Sequence, residues 1–132
     1  MAALGNGQAE AAATLQFVRV KNVAELDGRI AQANGKTVML DFYADWCISC
    51  KEMERYTFTD AKVQAKLKNA VLLQIDVTAN SDEDKVLLKR FELFGPPAIL
   101  FFDAQGREQN GHRMIGYQDA RQFLQLLKNV GL

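Results

Sequence analysis

The stretch that decides the fold is DFYADWCISCKEME, residues 41–54, in which an apolar run passes into a helical pattern at a pair of cysteines. Cys47 and Cys50 are the only cysteines in the chain of 132 residues. Residues 37–43 (TVMLDFY) are mostly apolar, with β-branched and aromatic members, and this predicts a strand buried on both faces. From Trp46 onward the pattern is helical. The cysteines are therefore expected where a buried strand runs into a helix.

Further strands and helices are predicted on both sides of this stretch from apolar periodicity and from breaks at Gly, Pro and Asn. The predicted strands cover residues 15–20, 37–43, 71–77, 98–103 and 113–115; the predicted helices cover 22–33, 46–56, 61–68, 81–91 and 119–130. The last two helices are expected to bury Val86, Leu87 and Phe91, and Phe123, Leu124 and Leu127. With helices 46–56 and 61–68 counted as one helical connection, the order β-α-β-α-β-α-β-β-α implies an α/β fold with a mixed central sheet and helices on both faces.

The composition limits the classes of function. Sixteen basic residues balance sixteen acidic ones, so no net field attracts nucleic acid or an anionic membrane. Residues 1–13, rich in Ala, Gly, Gln and Asn, carry no export signal and are expected to be a flexible linker or a start foreign to the natural protein. Residues 14–132 are expected to form one domain. We expect a monomer that binds no nucleic acid and does not itself enter a membrane.

The cysteine pair admits three interpretations. A closed zinc site needs about four ligands, and the chain offers these two cysteines and the single histidine His112. A structural disulfide across so short a loop would stabilise the fold by at most about 2 kcal/mol, because the entropy it removes grows with loop length. A redox disulfide explains the spacing, since a thiol at the start of a helix meets unpaired backbone N–H groups and the positive end of the helix dipole. The redox interpretation is therefore favoured.

The redox interpretation assigns roles to four side chains. Cys47 is predicted to be the exposed nucleophile, and Cys50, one turn further in, the shielded thiol that resolves a mixed disulfide. Asp41 interrupts an apolar strand, where an unpaired carboxylate is costly, so it is either paired or used in proton transfer. Glu54 lies four residues after Cys50 on the same helical face, although it also fits an ordinary solvated carboxylate. Acids near the sulfurs would raise the thiol pKa values, which favours a reductant over a strong oxidant.

The motif DFYADWCISCK, a proline at position 97 between a helix and the strand AILFF, and Gly116 after the last strand resemble the thioredoxin superfamily. The resemblance covers about residues 15–131. It implies a thioredoxin-like fold in which Pro97 is a cis-proline that faces the active disulfide. An open backbone edge at such a proline would accept an extended segment of a partner.

Five residues are candidates for contacts with a partner around Cys47. They are Tyr43, Trp46, Phe94, Pro96 and Pro97. Tyr43 and Phe94 fit packing in the core equally well. Contacts of this kind are expected to be small and transient.

A narrower resemblance covers YADWCISCKEMERYTFTD and VLLQIDVTANSDEDKVLLKRFELFGPPAILFFDAQGRE. These segments are similar to the C-terminal periplasmic domain of a family of bacterial inner-membrane thiol:disulfide interchange proteins. The resemblance implies that the domain receives electrons from the membrane-embedded domain of the same protein and passes them to its N-terminal periplasmic domain, which serves periplasmic thiol proteins and cytochrome c-type biogenesis. It also implies that Asp41 and Glu54 tune the cysteines, and that no cofactor is needed besides the Cys47–Cys50 disulfide.

Two other functions fit the same residues. An autonomous thioredoxin-like reductase with broad substrates would reduce unrelated protein disulfides without an attached membrane domain. A redox-inactive binding module would keep the fold, but its Cys47–Cys50 bridge would be absent or inert to a dithiol.

Overall fold

The computed structural model describes residues 14–132, so the linker expected over residues 1–13 lies outside the described residues. In the described part, the strands are β1 (Val18–Arg19), β2 (Val38–Tyr43), β3 (Val71–Asp76), β4 (Ala98–Phe102) and β5 (Met114–Ile115). The α-helices there are α1 (Val23–Ala31), α2 (Ile48–Glu52), α3 (Ala61–Leu67), α4 (Asp82–Arg90) and α5 (Ala120–Asn129). A π-helical turn (Met53–Thr57) continues α2, and a 3-10 turn (Asn110–His112) precedes β5. Among these helices, none is long and apolar enough to cross a lipid bilayer.

The strands form one mixed sheet in the order β1-β3-β2-β4-β5. Strands β1 and β2 run parallel to β3, whereas β4 is antiparallel to β2 and β5 is antiparallel to β4. The register places Asp41 of β2 between Gln74 of β3 and Ile99 of β4. All residues of the central strand β2 are buried, as its apolar run predicted. The predicted α/β fold with a mixed central sheet is confirmed.

Two apolar clusters, one on each face of the sheet, form the core. Alternate residues of β2 serve them, because successive side chains of a strand point to opposite faces. Leu40 and Phe42 belong to the cluster that includes residues of α1 and α4, and Met39 belongs to the cluster that includes residues of α3 and α5. Helices therefore cover both faces, as predicted.

Local signals in the sequence fix where several helices begin. Ser81 and Asp84 form a capping box, in which the Ser81 hydroxyl accepts from Asp84 N–H at 3.1 Å and the Asp84 carboxylate accepts from Ser81 N–H at 2.9 Å. Asp60 and Asp119 cap α3 and α5 with their side chains. These polar residues satisfy backbone N–H groups that a helix leaves without an internal partner.

Two predicted core residues were wrong. Val86 is exposed while Leu88 is buried, and Leu124 is half-buried while Leu126 is buried. The buried positions are 84, 87, 88 and 91 around α4, and 123, 126, 127 and 130 around α5. Both sets follow the i, i+3, i+4, i+7 spacing of one helical stripe, and the two mispredicted residues lie outside it.

The first strand is shorter than predicted. It comprises Val18 and Arg19, which pair with Leu73 and Gln74 of β3, instead of residues 15–20. Leu15 and Phe17 are half-buried and pack against the apolar cluster that also contains Phe123. Their apolar character thus reflects packing outside the strand.

Phe58 offers a test of the core. It is buried between Phe17 and Phe123, with ring centroids 5.6 Å and 6.0 Å away. We expect Phe58→Ala to lower the free energy of unfolding by about 3–5 kcal/mol, because the missing ring leaves a cavity. Phe94→Ala removes the same atoms from a fully exposed side chain and should change it by less than about 0.5 kcal/mol. Urea denaturation measures both, and equal effects would contradict this core.

Candidate active site

Cys47 and Cys50 lie where β2 leads into α2, and they form a disulfide with Cα atoms 5.2 Å apart. Cys47 is the N-cap of α2, so the helix begins at Ile48 and not at Trp46 as predicted. The Cys47 sulfur accepts a hydrogen bond from the backbone N–H of Cys50 at 3.1 Å. A backbone N–H group at the start of a helix is a group that stabilises negative charge on a sulfur. Within residues 14–132, no group of three or more His, Cys, Asp or Glu side chains is placed to hold a metal ion.

The two cysteines do not differ in burial as expected. Cys47 is 6% exposed and Cys50 is 5% exposed, so the prediction of an exposed Cys47 is wrong for this oxidised state. The Cys47 sulfur is bonded to that of Cys50, which lies 3.9 Å from the carbonyl oxygen of Phe42. The neighbours Trp46 and Ile48 are 59% and 77% exposed, so Cys47 lies directly beneath the surface.

Asp41 is a buried acid in the central strand that precedes the cysteines. Its Oδ2 accepts a hydrogen bond from Gln74 Nε2 at 2.8 Å. Burial raises the pKa of Asp41 from its usual value of 3.8 to about 7; the Gln74 hydrogen bond and the Arg19 charge oppose the rise, and the Glu54 charge adds to it. Near neutral pH this carboxyl can therefore either accept or donate a proton.

Glu54 lies in the π-helical turn that continues α2, and it is half-buried. The turn includes a hydrogen bond from Phe58 N–H to the carbonyl oxygen of Met53 at 2.8 Å. The sequence predicted an ordinary α-helix here, because apolar periodicity does not register one widened turn. Such turns occur frequently at functional sites. The negative charge of Glu54 raises the pKa of Asp41, so the two acids interact electrostatically.

The loop between β2 and α2 is held by the chain that follows β3. Asp45 N–H donates to Thr78 Oγ1 at 2.8 Å, and Trp46 Nε1 donates to the Thr78 carbonyl oxygen at 3.1 Å. Thr78 N–H in turn donates to Asp76 Oδ1 at 2.9 Å. This loop therefore depends on the parallel pairing of β2 with β3.

Sequence reasoning missed Gln74 and Thr78. A polar residue interrupts each of two apolar runs, Gln74 in VLLQIDV and Asp41 in TVMLDFY. These interruptions were the available signal that the two residues could be partners. Pairing the two polar residues required the strand register, which periodicity alone does not supply. No comparable pattern marks Thr78, since the loop residues that it binds, Asp45 and Trp46, lie more than thirty positions away.

Four of the predicted partner contacts lie at or near the surface. Phe94 is fully exposed, Trp46 is largely exposed, and Pro96 and Pro97 are half-buried. The bond between Pro96 and Pro97 is cis, in agreement with what the resemblance implied for Pro97. The Pro97 carbonyl oxygen accepts a hydrogen bond from Gly116 N–H at 3.3 Å, which joins this segment to the chain after β5.

Tyr43 differs from the other predicted contacts because it is buried. Its hydroxyl donates to Asp45 Oδ1 at 2.9 Å and accepts a hydrogen bond from Lys51 Nζ. Its side chain belongs to the apolar cluster that also contains the two cysteines. The expectation that Tyr43 contacts a partner directly is therefore wrong, and its position favours a packing role.

Comparison with known proteins identifies chains that are similar in fold and in sequence. A family model described as a thioredoxin-like domain matches residues 25–131. The C-terminal domain of Neisseria meningitidis DsbD in its oxidised form is 35% identical, with a TM-score of 0.73, and the match covers 86% of this chain and 99% of that one. The reduced form of that domain is 36% identical with a TM-score of 0.71, and the match covers 84% and 99% of the two chains.

Curated relatives with higher identity are much longer than this chain. The thiol:disulfide interchange protein DsbD of Ralstonia nicotianae is 60% identical over 116 residues, which are 86% of this chain and 19% of the relative. The protein of the same name from Yersinia pestis is 54% identical over 126 residues, which are 96% of this chain and 21% of the relative. The chain thus spans about a fifth of the length of these relatives.

Asp41 links stability to pH. Because its pKa in the folded protein, about 7, lies above the usual 3.8, the folded state binds more protons than the unfolded chain between these values. Its contribution to stability is full below about pH 4 and is lost as the pH rises through about 7. As the pH rises over this window, we expect the oxidised Asp41→Asn variant to lose less stability than the oxidised wild type. The slopes of the unfolding free energy against pH should differ by at most about 1.4 kcal/mol per pH unit. Urea denaturation at several pH values measures the difference.

Asp27→Asn is the control for this experiment. Asp27 lies on α1, is exposed, and pairs with Arg90 at 2.9 Å. The Asp27→Asn variant should show the same dependence of stability on pH as the wild type. Identical slopes for Asp41→Asn and the wild type would contradict the assignment of Asp41.

Proposed function

Because the chain belongs to the thioredoxin-like domain family, and within it to the C-terminal domains of DsbD, we propose that it is a thiol:disulfide oxidoreductase domain that relays electrons through Cys47 and Cys50. The observation that carries this proposal is the Cys47–Cys50 disulfide at the start of α2. A disulfide that closes so short a loop adds little stability, so chemistry accounts for it better than structure does. The enzyme class that follows is a protein-disulfide reductase.

The proposed cycle consists of two thiol–disulfide exchanges. The Cys47 thiolate of the reduced domain attacks a disulfide of the acceptor, forms a mixed disulfide with one sulfur and releases the other as a thiolate. Cys50 then loses its proton and attacks the Cys47 sulfur, which forms the internal disulfide and releases the second acceptor sulfur. Two electrons pass to the acceptor; the proton lost by Cys50 goes to one acceptor sulfur, and the other takes its proton from solvent. Exchange in the opposite direction with a dithiol donor reduces the domain again.

Asp41 and Glu54 are proposed to act on the second exchange. A carboxyl with a pKa of about 7 can accept the proton of Cys50 and return it to the leaving sulfur. Negative charge at both acids raises the pKa of nearby thiols, so the reduced pair holds its electrons weakly. The domain is therefore proposed to work as an electron donor.

The donor and acceptor are proposed to be other domains of the same protein. The high identity to DsbD sequences about five times as long supports a domain of a larger protein. In this proposal the membrane-embedded domain supplies electrons, the N-terminal periplasmic domain receives them, and the present domain lies on the periplasmic side of the inner membrane. Residues 1–13 would tether it, which raises the effective concentration of one domain near another.

Partner contacts are proposed on the surface around the disulfide. Trp46 and Phe94 offer exposed aromatic rings, and Pro96 and Pro97 lie on the segment before β4. Aromatic side chains supply much of the binding energy of small interfaces. No cofactor besides the disulfide takes part in this cycle.

Trapping of a mixed disulfide tests the relay. We expect the reduced Cys50→Ala variant to form a lasting bond from Cys47 to its acceptor, because the resolving thiol is missing. The variant would be incubated with a periplasmic extract that contains the N-terminal domain, and adducts identified by mass spectrometry after non-reducing electrophoresis. Recovery of that domain as the main adduct would support the relay, whereas many unrelated proteins would favour an autonomous reductase.

Cys47→Ala is the matched control, because it leaves only the inner cysteine. It should form at least about tenfold less adduct, because Cys50 lacks the position at the start of the helix that favours a thiolate at Cys47. The wild-type disulfide should also be reduced by dithiothreitol. A disulfide that resists this dithiol, together with the absence of adducts, would exclude the relay and favour a redox-inactive binding module.

A further inference from the structure

We propose that Gln74 is a positioning residue for the carboxyl group of Asp41, and that Arg19 determines which end of the Gln74 amide Asp41 meets. An exposed cation on the edge strand β1 would thereby act on the buried acid beneath the active site. The inference rests on the proposed function, because it extends the proton-transfer role given to Asp41 there.

The three side chains form a row across neighbouring strands. Arg19 of β1 is in register with Gln74 of β3, and Gln74 is in register with Asp41 of β2. Arg19 Nε donates to Gln74 Oε1 at 2.7 Å, and Gln74 Nε2 donates to Asp41 Oδ2 at 2.8 Å. The row therefore runs without a gap from the sheet edge to its centre.

The direction of these hydrogen bonds follows from the guanidinium group. Arginine has only donors, so the amide atom of Gln74 that faces it has to be the oxygen. The amide NH2 group then faces Asp41 and donates to it. Without Arg19, the amide can turn and place its oxygen against the carboxyl, a contact that is favourable only when Asp41 is protonated. Arg19 thus selects the orientation that favours ionised Asp41.

Arg19 is itself held in place although its side chain is 53% exposed. Its second nitrogen donates to Asp76 Oδ2 at 2.8 Å, and its guanidinium lies 5.4 Å from the centre of the Tyr43 ring. Asp76 also binds Thr78, the residue that holds the loop before Cys47. Arg19 therefore contacts both Gln74, which binds Asp41, and Asp76, which binds the residue that holds the loop before Cys47.

The other groups around Asp41 can be assigned by element. From β1 and β3, Arg19 and Gln74 favour the charged form of the carboxyl, and from the π-helical turn Glu54 opposes it. The neighbour on β4 is the apolar Ile99. Burial is the largest influence and raises the pKa of Asp41. Gln74 is the group that donates directly to the buried carboxyl, so its orientation should matter most among the opposing influences.

The test measures the titration of the Asp41 carboxyl in the oxidised domain by carbon-13 NMR. We expect Gln74→Leu and Arg19→Met each to raise the pKa of Asp41 by at least about 0.5 relative to wild type. Arg90→Met is the matched control, because Arg90 is also partly exposed, donates to an aspartate at 2.9 Å, and lies on α4. It should leave the Asp41 titration unchanged.

A double variant separates orientation from simple charge. If Arg19 acts through the Gln74 amide, Gln74→Leu combined with Arg19→Met should titrate close to Gln74→Leu alone. Additive shifts would overturn the inference, because they would mean that the Arg19 charge acts on Asp41 directly through space. An unchanged Asp41 pKa in Arg19→Met would overturn it as well, and so would an equal shift in Arg90→Met. Arg19→Met changes an exposed side chain, so it keeps the test available even if Gln74→Leu does not fold.

The result is independent of the test of the proposed function. The titration uses the oxidised domain alone and requires neither a partner nor turnover. Failure of the trapping experiment would refute the relay and leave the Asp41 titration as measured. Failure of the titration would remove the roles of Gln74 and Arg19 while the relay through Cys47 and Cys50 stood.

Discussion

A carboxyl group is buried in the central strand of the sheet, and side chains of the neighbouring strands are arranged around it. A fully apolar surrounding would keep Asp41 protonated, and a direct ion pair would keep it charged. The protein places a neutral amide against it instead, with a cation one residue further away. With this arrangement the pKa of Asp41 is about 7, a value at which the carboxyl group can gain or lose a proton near neutral pH with little free-energy cost.

The topology of the sheet makes this arrangement available. Because β1 and β2 both run parallel to β3, residues far apart in the sequence become neighbours in one row. The carboxyl ends of β2 and β3 also lie at the same edge of the sheet. There, Thr78 binds the loop that contains Trp46 and precedes Cys47. The sheet thus supports the loop before Cys47 through Thr78, and it holds Asp41 within the strand that leads into this loop.

The sequence predicted the elements better than the detailed contacts. The apolar runs and their breaks are local, and the fold they predicted is confirmed. The partnership of Asp41 with Gln74 depends on strand register, and the π-helical turn around Glu54 depends on packing, so neither could be obtained from periodicity. The burial of Cys47 depends on how the loop before it packs, which no sequence pattern records.

The near-complete cover over the oxidised cysteine pair has a consequence for selectivity. With Cys47 only 6% exposed, a small free thiol has few directions from which to reach the sulfur in line with the disulfide bond. A protein that docks on the exposed rings of Trp46 and Phe94 can hold its thiolate in the required direction for much longer. Steric insulation of this kind limits the reduction of the disulfide by bystander thiols without any change in the energetics of the bond.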